Sequence, residues 1–170
     1  MKKDFQILLL FCFISFYSIG QNSIYIGSEK YKSTATWSFK NNGDWMQGPV
    51  EVSIGKKSNG GIIMISIKSF QNEHIKGNLM IYLDDGSVIK CLDKGIYDAV
   101  DNKSIAVYYL TPSEIELLKN SDISSIRFSI INDIRQTINQ TADNSYETDL
   151  PSSMFPSQYK TASSVSNLFR

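Results

Sequence analysis

Few side chains in this sequence are of the types that carry out covalent chemistry. The chain has one histidine, His74, and two cysteines, Cys12 and Cys91. Nucleophilic catalysis needs a serine or cysteine with a base and an acid arranged around it. The sequence has neither a Gly-x-Ser-x-Gly turn nor a metalloprotease histidine pair. It therefore assigns no catalytic residue, and His74, in the polar stretch 71–74, is expected at the surface.

The acidic side chains leave one catalytic route open, but they do not indicate a metal site. Two carboxylates at a suitable separation can hydrolyse a glycoside, and a chain with 17 acids can supply such a pair. Zinc needs three or four clustered ligands. A calcium loop needs further acidic residues at fixed spacing and a closing Glu. Asp84, Asp85 and Ser87 could supply oxygen ligands, but Lys90 stands near where the next acidic residue would be needed. We predict no metal and no cofactor.

Two residues are candidates for binding rather than catalysis. Trp45 lies between residues 43–44 and 46–48, which are rich in Gly and polar residues and predict a loop tip. An indole there can stack on a sugar or anchor a protein contact, and it can equally fold back over the end of the domain. Arg127 lies on a predicted strand, where it can hold an anion or remain solvated or ion-paired.

Residues 1–20 have the pattern of a secretory signal peptide. Lys2 and Lys3 precede an apolar run over residues 7–14, and small residues at 18–20 suit signal peptidase. The apolar part is about fifteen residues long, shorter than the roughly 20 that cross a bilayer. We therefore expect cleavage and export to the periplasm, the cell surface or the medium, with no stable membrane span afterwards.

The charge balance of the mature chain excludes some partners. Cleavage removes two lysines and one aspartate from the 17 basic and 17 acidic side chains, which leaves a net charge of −1. Nucleic-acid binding needs a concentrated basic surface, so we expect no nucleic-acid partner. A protein or a glycan remains as the expected partner. Cys91 then has no cysteine to pair with, and we expect it to be a buried apolar side chain.

Alternation of apolar and polar residues predicts several strands with one buried face. In residues 34–40 the side chains of Ala35, Trp37 and Phe39 share a face. Residues 50–54 repeat the pattern, and residues 61–68 form a β-branched run that suits burial on both faces. Residues rich in Asn, Gly and Ser at 41–44 and 57–60 predict hairpin turns.

A hairpin is also predicted over residues 79–92. Asp85-Gly86 suits a two-residue type I′ turn, which would pair Leu83 with Val88.

A short helix is predicted after this hairpin. Thr111, Pro112 and Glu114 form a capping box with proline at the first helical position, which starts a helix over residues 112–119. Residues 123–131 alternate again as a strand. Residues 132–140 fit a strand or a helix, of which we favour the strand.

These elements predict one domain that is mainly β, with an α+β composition. We expect an antiparallel sandwich or a curved sheet over residues 21–140, with the 112–119 helix packed on it. Residues 141–170 are rich in Ser and Thr and are expected to be loosely ordered, with the option of a short terminal helix that includes Val165 and Leu168.

The middle of the chain resembles a group of small uncharacterised exported proteins of Bacteroidota. Residues 83–89 (LDDGSVI), 109–115 (YLTPSEI) and 123–127 (ISSIR) carry the resemblance, which covers roughly residues 62–131. It implies a fold and an exported location, and it implies no activity. We expect a non-enzymatic binding or envelope-associated domain, with a small hydrolase of envelope or extracellular polymers as the alternative.

Overall fold

The structure is a computed structural model that describes residues 22–43, 48–69, 73–132, 134–146 and 157–170. The predicted signal peptide, residues 1–20, and the candidate binding residue Trp45 lie outside these ranges. The described chain is mainly β, and its antiparallel main sheet curls into a half-barrel. The predicted mainly β class is confirmed, in its curved-sheet form.

Twelve strands and two helices are described. In chain order the strands are β1 (Ser23–Ile26), β2 (Glu29–Lys32), β3 (Trp37–Asn41), β4 (Val50–Lys57), β5 (Gly60–Lys68), β6 (His74–Ile75), β7 (Leu79–Leu83), β8 (Val88–Cys91), β9 (Tyr97–Val100), β10 (Lys103–Leu110), β11 (Ile123–Ile131) and β12 (Thr137–Asp143). The helices are α1 (Pro112–Asn120) and α2 (Thr161–Leu168).

Ten of these strands form one antiparallel sheet. Its order is β8-β7-β11-β12-β3-β4-β5-β10-β9, and β6 pairs with β11 beside β7. The curl brings the two ends of the sheet close together, since the backbone N–H of Ile75 on β6 donates to Oγ of Ser104 on β10 at 2.9 Å. The Tyr108 hydroxyl likewise donates to the Gly77 carbonyl at 3.1 Å. The curled sheet therefore encloses a core between its ends.

The core lies on the inner face of the curled sheet and is built by the alternating residues of the strands. Side chains such as Phe39, Ile81 and Phe128 are almost fully buried there. The β1–β2 hairpin covers part of the outer face, where Ile24 packs with Ile62 in a second, smaller cluster. The core and this second cluster therefore cover opposite faces of β5. The burial of β5 confirms the prediction that residues 61–68 are buried on both faces.

Helix α1 begins where the capping box predicts. The Glu114 backbone N–H donates to Thr111 Oγ1 at 3.3 Å, and the Thr111 backbone N–H donates to Glu114 Oε2 at 2.7 Å. The helix runs one residue past the predicted end, and it buries Ile115 and Leu118 as expected. Burying such a side chain contributes about 1.5–3 kcal/mol each, so docking on the sheet stabilises a helix that would be marginal alone.

The chain beyond residue 140 contributes to the fold where the structure describes it. Strand β12 continues to Asp143, and α2 places Val165 and Leu168 in the core. The buried Asn144 side chain joins these elements through hydrogen bonds to Ile123 and Tyr159. Residues 137–140 are a strand after a turn at Asn132, which confirms the favoured interpretation of that segment.

The predicted register of the β7–β8 hairpin is wrong by one residue. Tyr82, not Leu83, pairs with Val88, and the loop has three residues because the Leu83 N–H bonds to the Ser87 carbonyl at 2.9 Å. Gly86 supplies the positive φ of 84° that this loop needs. The observed register places Ile89 on the inner face with the apolar residues of β7, whereas the predicted one would have turned it outward.

The predicted start of the third strand is also corrected. Strand β3 begins at Trp37, and Ala35 is exposed instead of sharing the buried face of Trp37 and Phe39. Thr34 is buried because its Oγ1 accepts a hydrogen bond from the Ile54 N–H at 3.1 Å. The Thr34 N–H also donates to the Ile54 carbonyl at 2.8 Å, so the segment before β3 stays bonded to β4 although regular pairing begins only at Trp37.

Within the described ranges, no helix has the length and apolar character needed to cross a membrane.

Candidate functional site

The residues that sequence reasoning considered for catalysis lie apart. His74 is exposed on β6, while Cys91 is buried on the inner face of β8. Burial, with a smaller contribution from the charge of Glu114, raises the pKa of the Cys91 thiol to about 12. A thiol held protonated is a poor nucleophile. The prediction that Cys91 is a buried apolar side chain is confirmed.

A row of side chains on the outer face of the sheet brings two cations near each other. Lys90 on β8 pairs with Met80 on β7, and Met80 pairs with Arg127 on β11. Directly paired residues of antiparallel strands project from the same face. Neighbouring strands lie about 4.8 Å apart, so the Cα atoms of Lys90 and Arg127 are separated by roughly 10 Å across Met80.

The sheet is interrupted beside this row. Ile75 and Met80 are five positions apart in the sequence. Their partners on β11, Ile130 and Arg127, are only three positions apart. The two additional residues bulge away from β11, and Gly77 takes a positive φ of 91° within the bulge. A depression therefore opens next to Arg127.

Asp93 fixes the shape of the bulge. Its Oδ2 accepts a hydrogen bond from the Gly77 N–H at 2.7 Å and one from the Tyr97 hydroxyl. Its own backbone N–H donates to Asn78 Oδ1 at 3.0 Å. Partial burial alone would raise the pKa of the Asp93 carboxyl, but bonds from Tyr97, Gly95 and Gly77 outweigh this and hold it below its usual value. Asp93 is therefore anionic at neutral pH and holds the bulge open.

We call this cavity the outer-face depression. It has a volume of about 480 Å³, and the side chains that define it are those of Asn78, Met80, Lys90, Arg127, Ser129 and Asn139. Ser129 and Asn139 pair across β11 and β12, and the Ser129 hydroxyl donates to Asn139 Oδ1 at 2.8 Å. Four strands and the bulge thus contribute to one polar surface.

The depression has a positive local charge. None of its described lining residues is Asp or Glu, and in the described part of the chain neither Lys90 nor Arg127 forms an ion pair. Asp143 lies one pair further along the same face, where its Oδ2 accepts from Asn42 Nδ2 at 2.7 Å. Both cations are therefore free to meet a ligand.

A second depression, of about 460 Å³, holds two carboxylates, those of Glu51 and Asp101. Lys103 Nζ donates to both carboxylate oxygens of Glu51, at 2.7 and 2.8 Å, and Ser66 Oγ donates at 2.8 Å. Partial burial alone would raise the pKa of Glu51, but these bonds from Lys103 and Ser66 outweigh it and lower the pKa. Glu51 is consequently an ionised, bonded carboxylate.

No metal centre is formed by the described residues, since nowhere do three or more His, Cys, Asp or Glu side chains come together. Asp85, considered as an oxygen ligand, instead accepts a hydrogen bond from the Ser87 N–H at 2.8 Å. This bond stabilises the β7–β8 loop.

Sequence reasoning found one residue of the outer-face depression and missed the others. Arg127 was a candidate anion ligand, and the predicted alternation on β11 correctly turns it away from the core. Asn78, Lys90 and Asn139 resemble ordinary surface residues in the sequence. To predict that these residues come together, one would need the register of β7, β11 and β12 and the position of the bulge. Local sequence patterns do not specify either.

Comparison of the chain with known proteins gives no match to a family model, to a curated protein or to a solved structure. The functional argument therefore starts from the site itself.

Proposed function

We propose that this protein is an exported, non-enzymatic binding domain of the cell envelope or its surroundings, and that it holds its ligand in the outer-face depression. One observation carries the proposal. Side chains from β7, β8, β11 and β12 converge on a cavity whose backbone is fixed by paired strands and by the Asp93 bonds. A preorganised polar surface binds with less loss of conformational entropy than a loose one.

The groups in the depression suit recognition better than turnover. Asparagine side chains neither donate nor take up protons near neutral pH, and the Ser129 hydroxyl donates to an amide oxygen. A serine nucleophile needs a base as its partner, which an amide is not. Lysine and arginine supply charge and directed hydrogen bonds. The ligand is therefore held without being cleaved.

Export is the second part of the proposal, and the composition of residues 1–20 supports it. Fractionation of cells that make the full chain with a C-terminal tag tests this part. We expect a shortened protein in the periplasm, on the surface or in the medium. A full-length protein in the cytosol would contradict export.

The alternative is a small hydrolase, which the Glu51 and Asp101 pair favours. Glycoside hydrolysis needs one carboxyl group that stays protonated to act as an acid. The bonds from Lys103 and Ser66 lower the pKa of Glu51, which does not suit a general acid. Lys103 also bonds both carboxylate oxygens of Glu51, so this group suits an ion pair more than a nucleophile. The outer-face depression is therefore the better supported site.

A binding screen with matched variants separates the two functions. The protein recovered after export is screened against immobilised envelope and extracellular polysaccharides and proteins, and soluble products are measured in parallel. Arg127→Gln removes a depression cation, and Lys32→Gln removes an exposed cation on β2. Losing a charged hydrogen bond costs about 1.5–3 kcal/mol, so we expect Arg127→Gln to weaken binding about tenfold or more. Lys32→Gln should bind as the parent protein does.

Two outcomes would contradict the proposal. The first is binding that Arg127→Gln leaves unchanged, because the ligand would then lie elsewhere. The second is release of soluble products that Glu51→Gln abolishes, which would establish the hydrolase instead.

A further inference from the structure

Hydrogen-bond donors outnumber acceptors among the open polar groups of the outer-face depression. Asn78 Oδ1 already accepts from the Asp93 N–H, and Asn139 Oδ1 accepts from the Ser129 hydroxyl. The side-chain amides therefore present their Nδ2 groups to the cavity, beside the Arg127 guanidinium and the Lys90 ammonium, which only donate. A ligand that matches this surface must be rich in acceptors.

The side-chain oxygens of the depression keep some capacity to accept, because each amide oxygen that accepts one bond retains a second lone pair. Ser129 Oγ uses its hydrogen toward Asn139 and retains lone pairs. A bare oxyanion has no hydrogen to give to this oxygen, whereas a hydroxyl group on the ligand does. The donor and acceptor pattern therefore fits a molecule that carries both an oxyanion and hydroxyl groups.

The cations and Met80 add charge and shape to this pattern. Lys90 and Arg127 flank Met80 in one cross-strand row, so both can reach the same oxyanion or two adjacent ones. Met80 is half-buried between them and offers an apolar surface to the C–H face of a ring. The volume of about 480 Å³ lies within the range of small-molecule sites and far exceeds a single inorganic ion.

We infer that the ligand of the outer-face depression is an acidic saccharide, whose carboxylate or sulfate is held by Arg127 and Lys90 while its hydroxyl groups contact Asn78, Ser129 and Asn139. The inference rests on the proposed function, because it names the ligand class of the same site. No bond is made or broken in the complex.

Calorimetric titration of the exported protein with matched probes tests the ligand class. A galacturonic acid trisaccharide supplies the carboxylate, its fully methyl-esterified form is the neutral match, a heparin-derived disaccharide supplies sulfate, and inorganic sulfate is the bare anion. We expect one or both acidic saccharides to bind, with the ester and inorganic sulfate each at least about tenfold weaker. Binding should also weaken as salt rises from about 50 to 300 mM, because salt screens exposed charges.

Variants assign the binding to the site. We expect Arg127→Gln and Lys90→Gln each to weaken saccharide binding about tenfold or more, and Lys32→Gln to change it less than about twofold. All three positions are exposed, so the variants should unfold at the same temperature as the parent protein. If one does not, Asn139→Ala replaces it, and it should still weaken binding by several-fold.

The results that overturn the inference differ from those that overturn the proposed function. If the ester and the acid bind equally well, the charge of the ligand does not contribute to recognition. If inorganic sulfate binds as well as the acidic saccharides, the sugar does not contribute to recognition. In either case the proposed function stands if Arg127→Gln removes the binding. Binding of an acidic saccharide that no depression variant weakens would overturn both.

Discussion

The backbone N–H of Gly77 donates a 2.7 Å hydrogen bond to Oδ2 of Asp93, sixteen residues further along the chain. This bond fixes the two-residue bulge between β6 and β7, and with it the position of Asn78 at the edge of the outer-face depression. Asp93 does not line the depression itself. It is a positioning residue, whose effect on a ligand is transmitted through the backbone of residues 77–78.

Replacing Asp93 with asparagine should loosen the bulge. The Asp93 carboxylate accepts its hydrogen bonds on two oxygens, whereas an asparagine amide has only one acceptor oxygen. We therefore expect the free energy of unfolding to fall by about 1 kcal/mol. Urea denaturation measures this change. Asp98→Asn is the matched control, because Asp98 lies on the exposed edge strand β9 and, among the residues that the structure describes, accepts only from its neighbour, the Ala99 N–H.

The stabilisation from Asp93 should depend on pH in a defined direction. The folded-state pKa of Asp93 lies below its unfolded value. The stabilisation is therefore fully present above the unfolded pKa of about 3.9 and is lost as pH falls through the folded pKa. The stability difference between the parent and Asp93→Asn should be constant from pH 5 to 7 and shrink below about pH 4. A difference that grows as the solution is acidified would contradict this assignment.

Asn144 should be among the most sensitive polar positions. Its Nδ2 donates to the Ile123 carbonyl at 2.7 Å and to the Tyr159 carbonyl at 2.9 Å, and its Oδ1 accepts from the Tyr159 N–H at 2.9 Å. Asn144→Ala removes all three bonds and leaves the buried Ile123 carbonyl and the partly buried Tyr159 backbone groups without them, which should cost about 3 kcal/mol. A shift of the urea midpoint reports the loss. Asn167→Ala, at an exposed position of α2, should leave the midpoint nearly unchanged, and equal shifts would contradict the role of Asn144.

Cys91 should not react in the folded protein. Burial raises the pKa of its thiol to about 12, above the ordinary value of about 8.5. Iodoacetamide at pH 8 should leave the Cys91 peptide unmodified, as read by mass spectrometry, and should modify it fully once urea unfolds the chain. Rapid labelling under native conditions would show that β8 opens or that the thiol is exposed.

Features that depend on adjacent residues could be predicted from the sequence. The capping box of α1 is specified within four residues, Thr111 to Glu114, and both of its hydrogen bonds are present. The inward face of β11 follows from the alternation of Ile126, Phe128 and Ile130. In each of these cases the physical cause lies within one element, so the pattern carries the information.

Features that depend on pairing between elements could not. The β7–β8 register depends on which face of β8 is buried. Core residues from strands that are distant in the sequence decide which face that is. The outer-face depression likewise requires the unequal spacing of β6 and β7 along β11, together with the bond from Gly77 to Asp93. No local run of residues encodes that spacing, so the sequence indicates only Arg127 as a candidate ligand of this site.

The most direct test of the central claim is a nuclear magnetic resonance titration of the labelled protein with the galacturonic acid trisaccharide and the heparin-derived disaccharide. We predict that at least one of them shifts the Arg127 Nε–H signal and the side-chain amide signals of Asn78 and Asn139 together. Signals from the Ser66 and Asn102 side of the second depression should stay fixed. If the depression signals stay fixed at saturation with both saccharides, or only the second depression responds, the claim is contradicted.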